Sequence, residues 1–363
     1  YIYGRIICGS LEKIVKPTVI ILNWNGKKLL EQFLPTVAAH TIGEESRLVV
    51  ADNGSTDDSV AFLLAEYPHI ELILFDHNHG FAEGYNRAIQ QVDSEYVILL
   101  NSDVETTAGW IQPLIAYLDA HQDVAAVQPT IRSFHQKSHF EYAGAAGGFI
   151  DCYGYPFCRG RILDTVEHDQ GQYMDEIPIF WATGASLCIR RSDYINVGGL
   201  DALFFAHMEE IDLCWRLNAR GRGVVSVPSS VVYHVGGASL GKENPRKLYL
   251  NFRNNLLMLY KNLPSKRLFS TFCVRLMLDL LAAVHLLTQG KVRSSISVVK
   301  AYRDFLEMRS SYRQIRRENL RMSLNAILPG TYSGSILMAY YLRNKRTYAS
   351  LISRKKNAIR NEN

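Results

Sequence analysis

Short apolar runs alternate with amphipathic stretches along the first hundred residues, and the two periods predict different elements. Thr18–Asn23, Arg47–Asp52, Ile70–Phe75 and Tyr96–Asn101 are nearly continuous in aliphatic residues, the pattern of strands buried on both faces. Between them, Lys27–Ala39, Asp57–Glu66 and Ala82–Gln91 carry apolar residues at helical spacing, with Ser55 or Thr56 placed to cap the second helix. Strands separated by single helices make βαβ units, so the spacing predicts an α/β fold with a mostly parallel sheet flanked by helices. Ligands of such sheets bind beyond the carboxyl ends of the strands.

Polar residues cluster at those ends. The first strand runs into Asn23-Trp24-Asn25-Gly26, the second into Asp52-Asn53-Gly54-Ser55-Thr56-Asp57, and the fourth into Asn101-Ser102-Asp103. Each cluster alone is an ordinary turn or helix start, but three on one rim point to a ligand held by carboxylates and amides. No Gly-x-Gly-x-x-Gly fingerprint or phosphate-binding loop is present. A carboxylate approaches a phosphate through a bridging cation, and Mg²⁺ or Mn²⁺ with oxygen ligands suits Asp103.

The densest acidic group lies in FFAHMEEIDLCWR, where Glu209, Glu210 and Asp212 sit among aromatic and aliphatic residues. Like charges beside apolar neighbours raise a carboxyl pKa toward that of a general base. The competing reading is a solvated first helical turn, where acids favour the positive end of the helix dipole.

Composition and charge narrow the class. At 363 residues and 47% hydrophobic content, the chain can bury one large core or two smaller ones. Its net charge of +5 is uneven: residues 1–263 hold 21 Lys+Arg against 30 Asp+Glu, and residues 264–363 hold 19 against 5. The boundary at Pro264 separates an N-terminal extension (1–16) and a catalytic unit (17–263) from a basic helical region (264–363). That region sets arginines among apolar stripes such as Leu276, Leu278, Leu280, Leu281, Val284, Leu286 and Leu287. Asp279 and His285 interrupt the best bilayer-crossing candidate, so the pattern favours a helix lying on an anionic membrane surface. No recognised nucleic-acid motif accompanies the basic surface, and nucleic acid is not an expected partner. Cys8, Cys152, Cys158, Cys188, Cys214 and Cys273 lack the paired spacings of zinc ligands, and most sit in apolar runs that fit buried thiols in a reducing cytosol. Ile2–Ser10 is too short and mixed for a signal peptide, so no export is inferred.

The ordered motifs VIILNWNG, VVADNGSTDDS, NHGFAEGYNRAI, VILLNSDVE, ATGASLCIRR, GGLDALFF, MEEIDLCWR and VVYHVGGAS resemble the family 2 glycosyltransferases of the GT-A fold, particularly the rhamnosyltransferase-like branch. The resemblance covers residues 17–262. It implies nucleotide contacts at Asn23, Asn25 and Asp52, and donor contacts at Gly80, Phe81 and Asn86. Asn101-Ser102-Asp103 takes the DXD position with only its last carboxylate, so Asp103 becomes the principal metal ligand and His234 the residue that completes the metal shell or touches the diphosphate. His77 and His79 fall in a loop the family uses for shape and are left out of the metal site.

The acid run matches the family's Glu-Asp-x-Asp-Leu pattern, whose second acid is the usual base. Here that acid is Glu210, one methylene longer, with Glu209 and Asp212 as the alternatives; Asp212 and Arg216 also suit an ion pair four residues apart. Thr183, Gly184 and Ala185 precede an apolar strand on the acceptor side, and the Gly- and Tyr-rich stretch Arg132–Phe180 suits either acceptor binding or a cover for the sheet.

The expectation is therefore an inverting, metal-assisted transfer from a nucleoside-diphosphate sugar to a glycan or lipid-linked acceptor, in the cytoplasm at the inner face of the plasma membrane. A nucleotidyltransferase would need a Gly-rich, basic triphosphate loop near the first strand, for which WNGKK is a weak candidate. A noncatalytic glycan-binding relative would account for the Glu-for-Asp change and the single carboxylate of the DXD position.

Overall fold

A computed structural model describes residues 17–42, 46–236, 244–325 and 327–352; the expected N-terminal extension, Cys8 and the Gly237–Ser239 end of the VVYHVGGAS motif lie outside the described residues. The first half opens with β1 (Thr18–Asn23), α1 (Lys27–Thr41), β2 (Arg47–Asp52), α2 (Ser59–Glu66), β3 (Glu71–Leu74), α3 (Gly80–Gln91) and β4 (Tyr96–Leu100). These four strands are parallel, in the order β3-β2-β1-β4. Val19 and Ile21 pack with the α1 side chains Leu30, Leu34 and Val37, while Ile20 joins Tyr85 and Ala88 of α3 on the other face. Each such side chain, fully removed from water, contributes about 1.5–3 kcal/mol, which is why the runs are apolar on both faces.

Helix α2 starts two residues later than expected. Ser55 is drawn back to Asn23 and Asn25, and Thr56 donates its N–H to the Asn25 side chain, so neither caps the helix. Asp57 instead accepts the Ser59 N–H at 3.0 Å.

Beyond β4 come β5 (Val104–Thr106), α4 (Gln112–Ala120) and β6 (Val124–Ser133), then a small sheet built from β7 (Gly148–Asp151), β8 (Pro156–Cys158), β9 (Arg161–Ile162) and β10 (Thr165–Val166). The chain then adds β11 (Ile177–Pro178), β12 (Ser186–Arg190), α5 (Arg191–Asn196), α6 (Glu209–Ala219) and β13 (Gly223–His234). In the main sheet β12 lies between β4 and β6 and is antiparallel to both, and the order continues through β13 to β11. This half departs from the mostly parallel expectation. β12 is reached from the small-sheet excursion rather than through a crossover helix, and a parallel neighbour requires such a crossover.

The Gly- and Tyr-rich stretch forms the small sheet and is largely core: Phe149, Phe157, Cys158 and Ile162 are buried. A Cβ on Gly148 would fall 2.2 Å from the Trp181 ring, so its glycine allows two segments to touch. Cys152 and Cys158 are free thiols.

The remaining elements are α7 (Pro245–Asn262), α8 (Ser265–Thr288), α9 (Val292–Met308), α10 (Arg313–Met322), β14 (Thr331–Tyr332) and α11 (Ile336–Arg343). Helix α7 packs on α6, α9 and α10, and β14 pairs with β7, so the chain past Pro264 returns to the small sheet. By length and composition α8 could cross a bilayer, but it buries one face against the body. Leu278 and Leu286 are half-buried there, whereas Leu276, Leu280, Leu281, Val284 and Leu287 of the same stripe are exposed.

Candidate active site

The rim clusters converge as the strand order requires, because β1, β2 and β4 end side by side. Asn23 and Asp52 are buried and directed at each other, the Asn23 amide donating to the Asp52 carboxylate at 2.8 Å, while the Ser55 N–H donates to its second oxygen. Asn25, held at φ 50°, accepts the N–H groups of Thr56 and Asp57. These residues brace the two loops together. Trp24 between them is 55% exposed on the same rim, an aromatic face that motif reading passed over although an apolar ring inside a polar turn was its signal.

The second cluster is drawn together by strand register. β5 pairs with β13 so that His234 lies opposite Val104, next to Asp103. His234 Nε2 sits 3.1 Å from Asp103 Oδ1 and 3.4 Å from the Asn101 amide nitrogen. On the other side of the ring, Nδ1 faces Glu141 Oε2 at 3.5 Å without a formed hydrogen bond. Asp103, His234 and Glu141 are all buried. Burial opposes ionisation of Asp103, but the His234 hydrogen bond and charge hold its carboxyl below the usual range. Burial likewise opposes the imidazolium, yet Asp103 and Glu141 push His234 up to about 10.

Glu141 carries no motif and was not anticipated. The Asp103 carboxylate, the Asn101 amide and an imidazole nitrogen form a donor set that fits a divalent cation, with Glu141 positioned to accept the opposite N–H, as carboxylates commonly do behind metal-bound histidines. Asp76, His77 and His79 also bring ligand atoms within 4.8 Å of one another, on a loop where Asp76 and His77 are exposed.

The acid cluster is not a solvated helix start. Glu209 is 4% exposed and Asp212 fully buried at the first turn of α6. The loop ahead of it holds Phe205, His207 and Met208 at positive φ (66°, 71° and 71°), a costly backbone for residues with side chains. Asn254 of α7 pins that loop by donating to the carbonyls of Phe204, Ala206 and His207.

The three acids meet different fates. Burial would raise Asp212, but Lys261 and Arg216 override it and hold its carboxyl low; Lys261 Nζ lies 2.8 Å away and Asn262 donates to the other oxygen. With both oxygens engaged, Asp212 is suited to anchoring the helix. Burial raises Glu209 well above the usual range, reinforced by the Glu210 charge. Burial also pushes Glu210 up to about 7, tempered by N–H groups that include those of Ile211 and Gly184. Oε2 of Glu210 is buried and has no partner.

The Gly184 contact joins the two clusters, because the neighbouring Ala185 carbonyl accepts the Asn101 N–H at 3.1 Å. A Cβ on Gly184 would lie 3.2 Å from the Phe81 ring, so the start of α3 borders the same spot. Thr183 is turned into the core, donating its N–H to the buried Gln128 side chain. α3 has no side-chain cap; its Phe81 and Ala82 N–H groups both donate to the Phe205 carbonyl. A Cβ on Gly80 (φ +81°) would meet the Phe205 ring at 2.6 Å. Asn86 points away from the rim and clamps the Leu200 backbone and the Tyr194 hydroxyl. Ser102 faces Gly26 across the β1–β4 seam.

The family model for glycosyl transferase family 2 matches residues 18–193. The chain is 28% identical over 256 residues to an N-acetylglucosaminyl-diphospho-decaprenol L-rhamnosyltransferase of Mycobacterium tuberculosis, covering 66% of this chain and 83% of that one. It is 24% identical over 260 residues to the rhamnosyltransferase WbbL of Escherichia coli, covering 69% and 94%. Among solved structures, GalNAc-T7 with UDP, GalNAc and Mn²⁺ aligns with a TM-score of 0.56 at 16% identity, over 85% of this chain and 57% of that one. TarS residues 1–349 of S. aureus align with a TM-score of 0.50 at 13% identity, over 85% and 88%. With acid, amide and imidazole groups gathered at the carboxyl ends of a GT-A sheet, the chain is similar to the family 2 glycosyltransferases and, over about two thirds of its length, to rhamnosyltransferases.

Proposed function

We propose that the chain is an inverting transferase that moves rhamnose from a nucleoside-diphosphate donor to a hydroxyl of a lipid-linked glycan, at the cytoplasmic face of the plasma membrane. The observation that carries this reading is Glu210, a carboxyl raised to about 7 with a free oxygen, set across Gly184 and Ala185 from Asn101 and Asp103. A base poised near neutrality accepts a proton with useful driving force at cellular pH. Glu210 takes the proton of the acceptor hydroxyl as that oxygen bonds to the anomeric carbon. The bond to the diphosphate breaks on the opposite face, and its electron pair leaves with the nucleoside diphosphate. One base suffices, since no glycosyl-enzyme intermediate forms. Asp103, His234 and Asn101 would hold a divalent cation, Mn²⁺ or Mg²⁺, which supplies charge neutralisation on the departing diphosphate. Asn23, Asn25 and Asp52 shape the nucleotide rim, with Trp24 beside them. The lipid-linked acceptor and the rhamnosyl donor rest on the names of the relatives from M. tuberculosis and E. coli.

The test is a donor panel assayed for nucleoside-diphosphate release with Mn²⁺, Mg²⁺ or chelator, using a polyprenyl-diphosphate-linked acceptor. Turnover of dTDP-rhamnose that stops on chelation supports the reading. Consumption of a UDP-hexose with dTDP-rhamnose ignored would overturn the rhamnosyl assignment, and Glu210→Gln with unchanged turnover would overturn the base.

A further inference from the structure

We propose that the outer faces of α8 and α9 form a membrane-docking surface that lies in the lipid interface without crossing it; this rests on the reading of a lipid-linked acceptor and names the surface that meets the bilayer.

Phe269, Cys273, Leu276, Met277, Leu280, Leu281, Val284 and Leu287 of α8 are all exposed. At the 3.6-residue repeat they fall within an arc of about 140° along a helix about 36 Å long. Lys266, in the first turn, is the one charged residue of α8 that enters that arc. Helix α9, which packs on α8, exposes Val292, Ile296 and Val299 in the same way. A soluble surface seldom leaves so much contiguous apolar area uncovered.

The inner face of α8 decides between spanning and lying flat. Arg275 and Asp279 are buried there in an ion pair at 3.1 Å, with the hydroxyls of Tyr155 and Tyr302 each donating to Asp279 at 2.7 Å and Arg275 donating to Asn255. A spanning α8 would have to abandon Tyr155, Tyr302 and Asn255 and carry both charges into hydrocarbon, which is strongly unfavourable. Lying flat keeps the network and sinks only the apolar arc.

Charge selects lipid over a second copy of the chain. Residues 265–322 hold 12 Lys+Arg against 4 Asp+Glu, and the sole acid of α8 is the buried Asp279. Two such surfaces would repel each other, whereas an anionic leaflet attracts them.

The test is flotation of the full chain with vesicles of phosphatidylcholine containing about one-third phosphatidylglycerol, and with phosphatidylcholine alone. The wild type should float with the anionic vesicles, and Leu280→Glu/Leu281→Glu should lower its partitioning by about tenfold or more while donor hydrolysis in free solution is unchanged. Arg275→Leu tests the orientation, since a flat helix loses folded stability with its buried pair whereas a spanning one would gain insertion. If the wild type floats and the double variant floats equally, this surface is wrong although the membrane reading stands. If the wild type does not float on anionic vesicles, both fall. A dimer that the double variant converts to monomer with flotation unaltered would mark the face as a contact between copies and overturn the proposal.

Discussion

Replacing Glu210 with Gln separates activity from stability in a way that depends on pH. The carboxyl is moved from 4.5 to about 7 by burial, so ionising it costs the folded state about 3 kcal/mol more than the unfolded chain. The sign follows from which state holds the proton. Below pH 4.5 the residue is protonated in both states and nothing is lost. Between 4.5 and about 7 the unfolded chain ionises while the folded protein does not, so stability falls as pH rises. Above 7 the full deficit remains. Gln is never ionised, so Glu210→Gln should be nearly neutral at pH 4 and more stable than wild type by up to about 3 kcal/mol at pH 8, a rise in Tm of about 5 °C. Turnover should fall about 10²- to 10⁴-fold, because no group is left to take the acceptor proton. Scanning calorimetry from pH 4 to 8.5 at constant ionic strength reads the first effect, and dTDP-rhamnose turnover reads the second. The wild-type kcat/KM should climb with pH through a midpoint near 7. Glu209 and Glu210 repel each other, so that midpoint belongs to the pair. A stability gain that is the same at pH 4 and pH 8, or retained turnover in the variant, would refute the argument.

Three further outcomes follow from the geometry. Glu141→Gln should weaken Mn²⁺ binding by about 10- to 100-fold in titration calorimetry while nucleotide binding without metal is unchanged, since it replaces the carboxylate behind His234 with a neutral amide. Lys261→Met should cost about 3 kcal/mol in urea denaturation, because it strips one buried cation from both Asp201 and Asp212. Gly80→Ala forces a Cβ against Phe205 at φ +81°, so it should raise the donor KM and lower kcat together, and cost at least about 1 kcal/mol of stability.

The parallel half of the sheet was legible because strands buried on both faces must be apolar throughout, and Val19, Ile20 and Ile21 show that run directly. The rim was legible for a related reason: polar residues at the ends of buried strands need a purpose. What escaped the sequence were pairings set by register between distant segments. Glu141 reaches His234 only because β13 runs beside β6, and nothing in HFEYAG announces it. Asp212 stayed an alternative to Glu210 as the base until Lys261 and Asn262 arrived from α7 to occupy its oxygens. The antiparallel entry of β12 was hidden similarly, since an apolar strand carries no mark of its direction.

The Phe205 carbonyl serves two masters, accepting the N–H groups of Phe81 and Ala82 at the start of α3 while belonging to the loop that leads to Glu210. On the proposed reading of the site, a single atom ties the segment that meets the donor to the loop that carries the base. By reciprocity, whatever factor the donor contributes to acceptor affinity through this atom, the acceptor must return to the donor. The expected consequence is measurable: a donor analogue should tighten acceptor binding, and the acceptor should tighten donor binding by the same factor.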